Sequence, residues 1–231
     1  MQKTIGEENI LLSIQPFWSG HILNWVKEYE FRKNYPRFLN SNGTEPDFDE
    51  NNVLTYEKPV KVYIYCTKTG EQLYFSPASN KYECVSKAAA KSLNDTVFLN
   101  SKIVGTFMCD KIVKVTRDTI LGMYSPTDAE KEAVEKSCIN HNDMLVYVGS
   151  KEQLYAWHIS ELTIFDEPLS LEQAYSGICK HLNDTVCIEK GLCPYKQCTQ
   201  DGDYSSCFIP IETAPQNWCY VKGLIKEVIK D

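Results

Sequence analysis

Two β segments set the limits on what this chain can fold into. Val60–Cys66 alternates Val60, Val62 and Ile64 against Lys61, Tyr63 and Tyr65, the period-two signature of a strand. Lys102–Val115 is longer; within it Gly105 marks a bulge or a close backbone approach, and Cys109-Asp110-Lys111 a bend. Such strands need neighbours, and the rest of the chain supplies candidates. Ile10–Gln15 is apolar enough for a buried first strand, and another begins near Glu28. Tyr155–Ile159 and Leu162–Phe165 lie close enough in sequence to pair, with Pro168 ending the second, and Ala214–Val221 reads as a closing strand.

Helical patterning is sparse by comparison. Pro16 sits where a helix can begin, because its missing N–H costs nothing in the first turn. Trp18, Ile22, Trp25 and Val26 recur at helical spacing, which predicts a short helix over 17–26 with one buried face and His21 as an ordinary member. Thr127–Glu130 is a capping box opening a helix towards Cys138, and Ser170–Gln173 is another, opening a helix to about Lys180. Residues 40–58 form a polar loop, and 68–100 is a weakly patterned insertion with Lys87–Lys91 as its helical hint. The expected fold is α+β and mainly β: a partly closed barrel with a helix after the first strand and helical decorations, in a single domain over 1–231. Closure is the usual way for a β domain to remove exposed edges.

Charge and cysteine usage narrow the function classes. The formal net charge of −7 excludes a non-specific polyanion binder, so any contact with nucleic acid must come from a local basic patch. Met1–Asn9 is polar and acidic, and the apolar run after it is too short for a signal segment or a membrane span; a cytoplasmic protein is expected. The Asn-x-Thr triplets at Asn42, Asn94 and Asn183 then read as chance matches, and the ten cysteines as reduced thiols or metal ligands. Cys187, Cys193, Cys198 and Cys207 fall in a Cys-rich loop over 181–210 that is short of large aliphatics. Four thiolates there can hold a structural zinc ion, although no Cys-x-x-Cys knuckle is present; four free thiols are the alternative. The scattered cysteines read as small buried residues.

The most concentrated chemistry lies in Lys27-Glu28-Tyr29-Glu30-Phe31-Arg32. Strand parity puts Tyr29 and Phe31 on one face and Glu28, Glu30 and Arg32 on the other, while Lys27, at the turn, is free to converge with Glu30 and Arg32. A Lys–Glu pair can do acid–base work when burial shifts either pKa; the plainer outcome is an ion pair on a solvated strand face. Lys27 and Arg32 suit phosphate, and Glu30 can accept from a base amino group. Trp18, Trp157 and Trp218 are candidate stacking platforms, each with core packing as the plainer reading.

Taken in order, Ile10–Pro16, Lys27–Arg32, Val62–Tyr65, Lys102–Phe107, Tyr155–Ile159 and Ala214–Val221 resemble the ASCH domains, relatives of the PUA fold. The resemblance implies a small β-barrel with a cleft beside the first helix, binding RNA or nucleotides. It implies a ligand site made of Gln15, Lys27, Glu30, Arg32, Gln216 and Trp218. Some small bacterial members of that family hydrolyse the acetyl amide of N4-acetylcytidine with a Lys, a Thr three residues later and a later Glu. Their Lys falls on Lys27, but their Thr falls on Glu30, which removes the hydroxyl; Glu130, Glu132 and Glu135 are all candidates for the third group. Lys27 and Glu30 are thus the catalytic candidates of a hydrolase reading. The alternatives are a binding module without turnover and a protein-interaction domain.

Overall fold

The computed structural model describes residues 3–4, 9–178 and 208–224. The strands are β1 (Lys3–Thr4), β2 (Asn9–Ile14), β3 (Tyr29–Arg32), β4 (Phe38–Leu39), β5 (Val53–Cys66), β6 (Glu71–Ser76), β7 (Lys81–Ser86), β8 (Lys102–Thr116), β9 (Gln153–His158), β10 (Ser160–Ser170), β11 (Ala174–Ile178), β12 (Phe208–Pro210), β13 (Trp218–Val221) and β14 (Gly223–Leu224). The helices are α1 (Pro16–Leu23), α2 (Lys87–Ala90), α3 (Arg117–Ile120), α4 (Asp128–Glu135) and α5 (His141–Val148). Strand dominates, and the principal sheet curls into a half-barrel with few helices. The mainly β, α+β expectation holds.

That sheet runs in the order β13-β2-β5-β8-β9-β3, with β10 paired to β8 beside it. Both long segments read from the sequence are its central strands. β5 and β8 pair antiparallel from Val53 opposite Val113 to Cys66 opposite Lys102. Gly105 shows why glycine stands in the middle of β8. It is flanked by Ile64 on one side and Ile164 on the other, and a Cβ there would lie 2.4 Å from the carbonyl oxygen of Thr163. Both readings of this glycine hold: the backbone approaches closely, and the β5–β8 register shifts between Ile64 opposite Gly105 and Tyr65 opposite Ile103.

Both faces of the sheet are covered. Val60, Val62 and Ile64 enter the main core with Ile10, Leu12, Phe107 and Trp157, whereas Tyr63 and Tyr65 pack on the other side with Ile103, Val221 and Leu224. A third cluster lies under α3–α5, where Tyr29 and Phe31 meet Val113, Val115, Met144 and Leu154. A strand buried on both sides gains from apolar residues at every position, which is why its tyrosines alternate with aliphatics rather than with charges.

Local expectations change at several points: β5 begins at Val53, inside the stretch read as a loop, β10 continues through Pro168 to Ser170, and β9 and β10 each pair with β8 rather than with one another. The helix after β2 ends at Leu23, so Trp25 and Val26 lie beyond it at 65% and 56% exposure instead of on its buried face. Trp25 has left-handed backbone geometry (φ 59°), which stops the helix and turns the chain back: the N–H groups of Val26 and Lys27 both donate to the His21 carbonyl. The insertion at 68–100 is built on a β6–β7 hairpin, which forms its own two-stranded sheet and packs on α1. After Ser170, whose side chain makes no cap, a single 3-10 turn (Leu171–Gln173) gives way to β11 rather than to a helix, because that strand finds partners in β12 and β14. The Thr127 capping box forms as read.

Candidate functional site

The two ends of the principal sheet, β3 at one edge and β13–β2 at the other, are brought together by side chains rather than by a backbone ladder. Arg32 spans the gap. Its Nη1 donates to Oδ1 of Asn217 at 2.9 Å and its Nη2 to the Ser13 carbonyl at 2.8 Å. Trp157 of β9 and Trp218 of β13 meet edge to face across the same seam at 5.8 Å. The barrel is therefore only partly closed, and the Lys27–Arg32 cluster sits in the seam.

Lys27, Glu30 and Arg32 converge there and are buried to 4%, 6% and 8% exposure, which excludes the solvated-face reading. Arg32 Nη2 lies 2.8 Å from Glu30 Oε1, and Lys27 Nζ 3.4 Å from Oε2. The Lys27 ammonium also donates to the Ser137 carbonyl at 2.5 Å and stands 4.8 Å from the centre of the Trp18 ring. Two cations thus share one carboxylate in a desolvated place, and the cluster carries a net positive charge. Burial pulls the Lys27 pKa below its ordinary value; the Glu30 carboxylate opposes that shift and Arg32 adds to it. Tyr147 lies close enough to feel both: burial raises its phenol, with Arg32 and Glu30 pulling in opposite directions.

Arg32 Nε in the seam and Ser13 Oγ, both buried, have no hydrogen-bond partner among the described residues. Buried donors are normally satisfied, so Arg32 Nε marks where an acceptor belongs, whereas Ser13 lies opposite Tyr65 on the other face of the sheet. Next to Ser13, Gln15 occupies the N-cap position of α1 with an exposed side chain that makes no cap, and the first turn holds no acidic residue. Gln216 is exposed on the opposite lip. Trp218 is half-buried between Trp157 and Tyr220, and Trp157 is fully buried in the core. Neither matches the exposed aromatic surface beside the cluster. That surface is on α1, where Phe17 (43% exposed), Trp18 and His21 form a run of ring contacts at 4.4–5.8 Å, followed by Trp25.

Among the third-group candidates, Glu130 has a structural task. It is 2% exposed and accepts from the Thr127 N–H at 2.8 Å as the far half of the capping box. Glu132 pairs with Lys136, which also holds Glu28, and Glu135 is exposed. None of the three is bonded to the Lys27 cluster. On the opposite face of β3, Tyr29 lies across from His158, whose Nδ1 is 2.6 Å from Asp110 Oδ1. Cys187, Cys193, Cys198 and Cys207 lie outside the described residues. Among the described residues no group of His, Cys, Asp and Glu is arranged to hold a metal ion, and no helix is long and apolar enough to cross a membrane.

Asn217 is the member of the site that sequence reasoning passed over, although it named the residues on both sides. The signal was positional: Asn217 immediately precedes β13, and its carbonyl accepts from the Ser13 N–H while its side chain faces Arg32.

No family model matches the sequence, and neither does any curated protein. Solved structures do. The ASCH protein of Zymomonas mobilis superposes with a TM-score of 0.48 and 11% identity, covering 97% of this chain and 94% of that one. A mutant of the same protein gives 0.46 and 11%, covering 96% of each. Likeness at this level fixes neither family nor site chemistry.

Proposed function

We propose that the chain is an ASCH-type domain of the cytoplasm that binds RNA or a nucleotide at the seam between β3 and β13. The observation that supports this most directly is the unpartnered buried donor Arg32 Nε in a cluster where two cations face one carboxylate. An oxygen acceptor with negative charge, such as a phosphate, satisfies both that donor and the excess charge. Gln15, Gln216 and Asn217 surround the seam with amide groups suited to base edges. The α1 rings, Phe17 and Trp25 foremost, offer unstacked bases a place to stack. The acidic remainder of the surface keeps the contact local rather than general.

The test is fluorescence anisotropy with short single-stranded RNAs, alongside thermal shift with nucleosides and nucleotides. Binding should weaken with salt. It should fall about tenfold in Asn217→Ala, a loss of about 1.4 kcal/mol. Equal affinity of wild type and Asn217→Ala, with both folded, counts against the seam as the site.

A second reading, hydrolysis of a modified nucleoside such as N4-acetylcytidine, draws support from the burial that lowers the Lys27 pKa, since a lower pKa makes an amine a better candidate base near neutral pH. Glu30 offers no hydroxyl and is engaged by both cations, so binding is the reading favoured. Turnover of N4-acetylcytidine that disappears in Lys27→Met would reverse that order.

A further inference from the structure

A broad groove lies away from the seam. It has a volume of about 790 Å³ and separates the β6–β7 hairpin and the loop following it from the β10 rim; none of Lys27, Glu30 and Arg32 lines it. The hairpin side contributes Phe75, Tyr82 and Val97, and the β10 side contributes Phe165. Phe75 and Val97 are 42% and 73% exposed, an unusual state for large apolar side chains that line a concave wall.

Charge around the groove is one-sided. Its lining includes no lysine or arginine, and its ionised groups are Asp95 on the loop side and Asp166 on β10, both exposed. No hydrogen bond or ion pair engages either carboxylate among the described residues. Asp166 is close enough to Tyr82 to add to the rise that burial imposes on that phenol.

We propose that this groove binds a small organic cation with a flat apolar body, an aromatic amine by class, with the ring among Phe75, Tyr82 and Phe165 and the ammonium between Asp95 and Asp166. The volume suits such a molecule, since small-ligand sites run from roughly 300 to 1,000 Å³ and combine apolar walls with a few polar groups. A peptide strand added to β10 fits poorly. That rim carries Asp166 and Glu167, and Pro168 has no N–H to contribute to a ladder. The aromatic walls add attraction for a cation beyond that of the carboxylates.

Three probes with the same ring separate the terms: tryptamine, neutral 3-methylindole and anionic indole-3-acetate. Each is titrated by calorimetry into the full chain, with methyl NMR of Val97, Val104 and Ile164 reporting location. Tryptamine should bind at least about tenfold more tightly than indole-3-acetate, with shifts concentrated at those three methyl groups. In the double variant Asp95→Asn and Asp166→Asn the preference should shrink to about twofold or less. Asparagine is tolerated at the left-handed backbone of residue 95 (φ 57°), and residue 166 is exposed, so the variant keeps its fold. The proposal is overturned by absence of saturable tryptamine binding, by equal affinity for the three probes, by shifts confined to other methyls, or by a preference unchanged in the double variant. It is independent of RNA binding at the seam, and each can fail without the other.

Discussion

Replacing Glu30 with alanine is the sharpest test of the seam. Glu30 is the anion that both Lys27 and Arg32 contact, and the three side chains are 8%, 3% and 9% exposed, so solvent screens little of the interaction. Removing one partner of a buried pair typically costs about 3–5 kcal/mol, because the other charge is left uncompensated. Here Lys27 retains the Ser137 carbonyl, and Arg32 retains the Ser13 carbonyl and Asn217. The expected loss therefore lies at the lower end, about 3 kcal/mol. For a chain of this size that corresponds to a fall in Tm of about 6–12 °C. Lys27→Met should cost about 1 kcal/mol or less, since it removes the burial penalty of an ammonium along with its attraction to Glu30, and Glu30 stays paired with Arg32. Urea denaturation of wild type, both single variants and the double variant completes the cycle. The double variant should recover part of the Glu30→Ala loss. A loss below about 1 kcal/mol in Glu30→Ala, or no recovery in the double variant, would refute a buried shared carboxylate.

Other consequences follow from the same geometry. Because burial lowers the folded-state pKa of Lys27 below that of the unfolded chain, the unfolded state binds more protons between the two values. The destabilisation by Lys27 is thus fully present below its folded pKa and is relieved as pH rises towards 10.5; the stability of wild type relative to Lys27→Met should increase over that window. Gly105→Ala should cost about 2–3 kcal/mol in urea denaturation, because the added Cβ meets a backbone carbonyl that only a shift of β10 can move. Thr127→Ala should cost about 1 kcal/mol through loss of the α4 capping box, and RNA affinity should not change. Burial raises the Cys66 thiol to about 12, so peptide-resolved alkylation at pH 8 should spare Cys66 in the native protein and label it after unfolding; rapid native labelling would contradict the buried β5 end.

Much of the framework could be read one residue at a time. The alternation at Val60–Cys66, the run from Lys102 and the Thr127–Glu130 box are local patterns, and local backbone preference carried them into the fold. Trp25 misled because helical spacing says which face a residue would occupy if the helix continued; the positive φ at that position ended it. Ser170 misled for a different reason: a capping pattern loses to a strand when two partner strands stand ready.

The sequence alone placed Lys27, Glu30 and Arg32 within one turn and one strand, which fixed their proximity and the common face of Glu30 and Arg32. Their burial, and the use made of Arg32, were decided only in three dimensions. Ser13, Ser137 and Asn217 come from positions 19 to 185 residues away from the side chains they bind, and nothing local in their sequence contexts names those partners. The sheet curls until β3 faces β13 without a ladder between them. A gap of that kind must be bridged by side chains with several fixed donors, and the guanidinium of Arg32 is the group that fits.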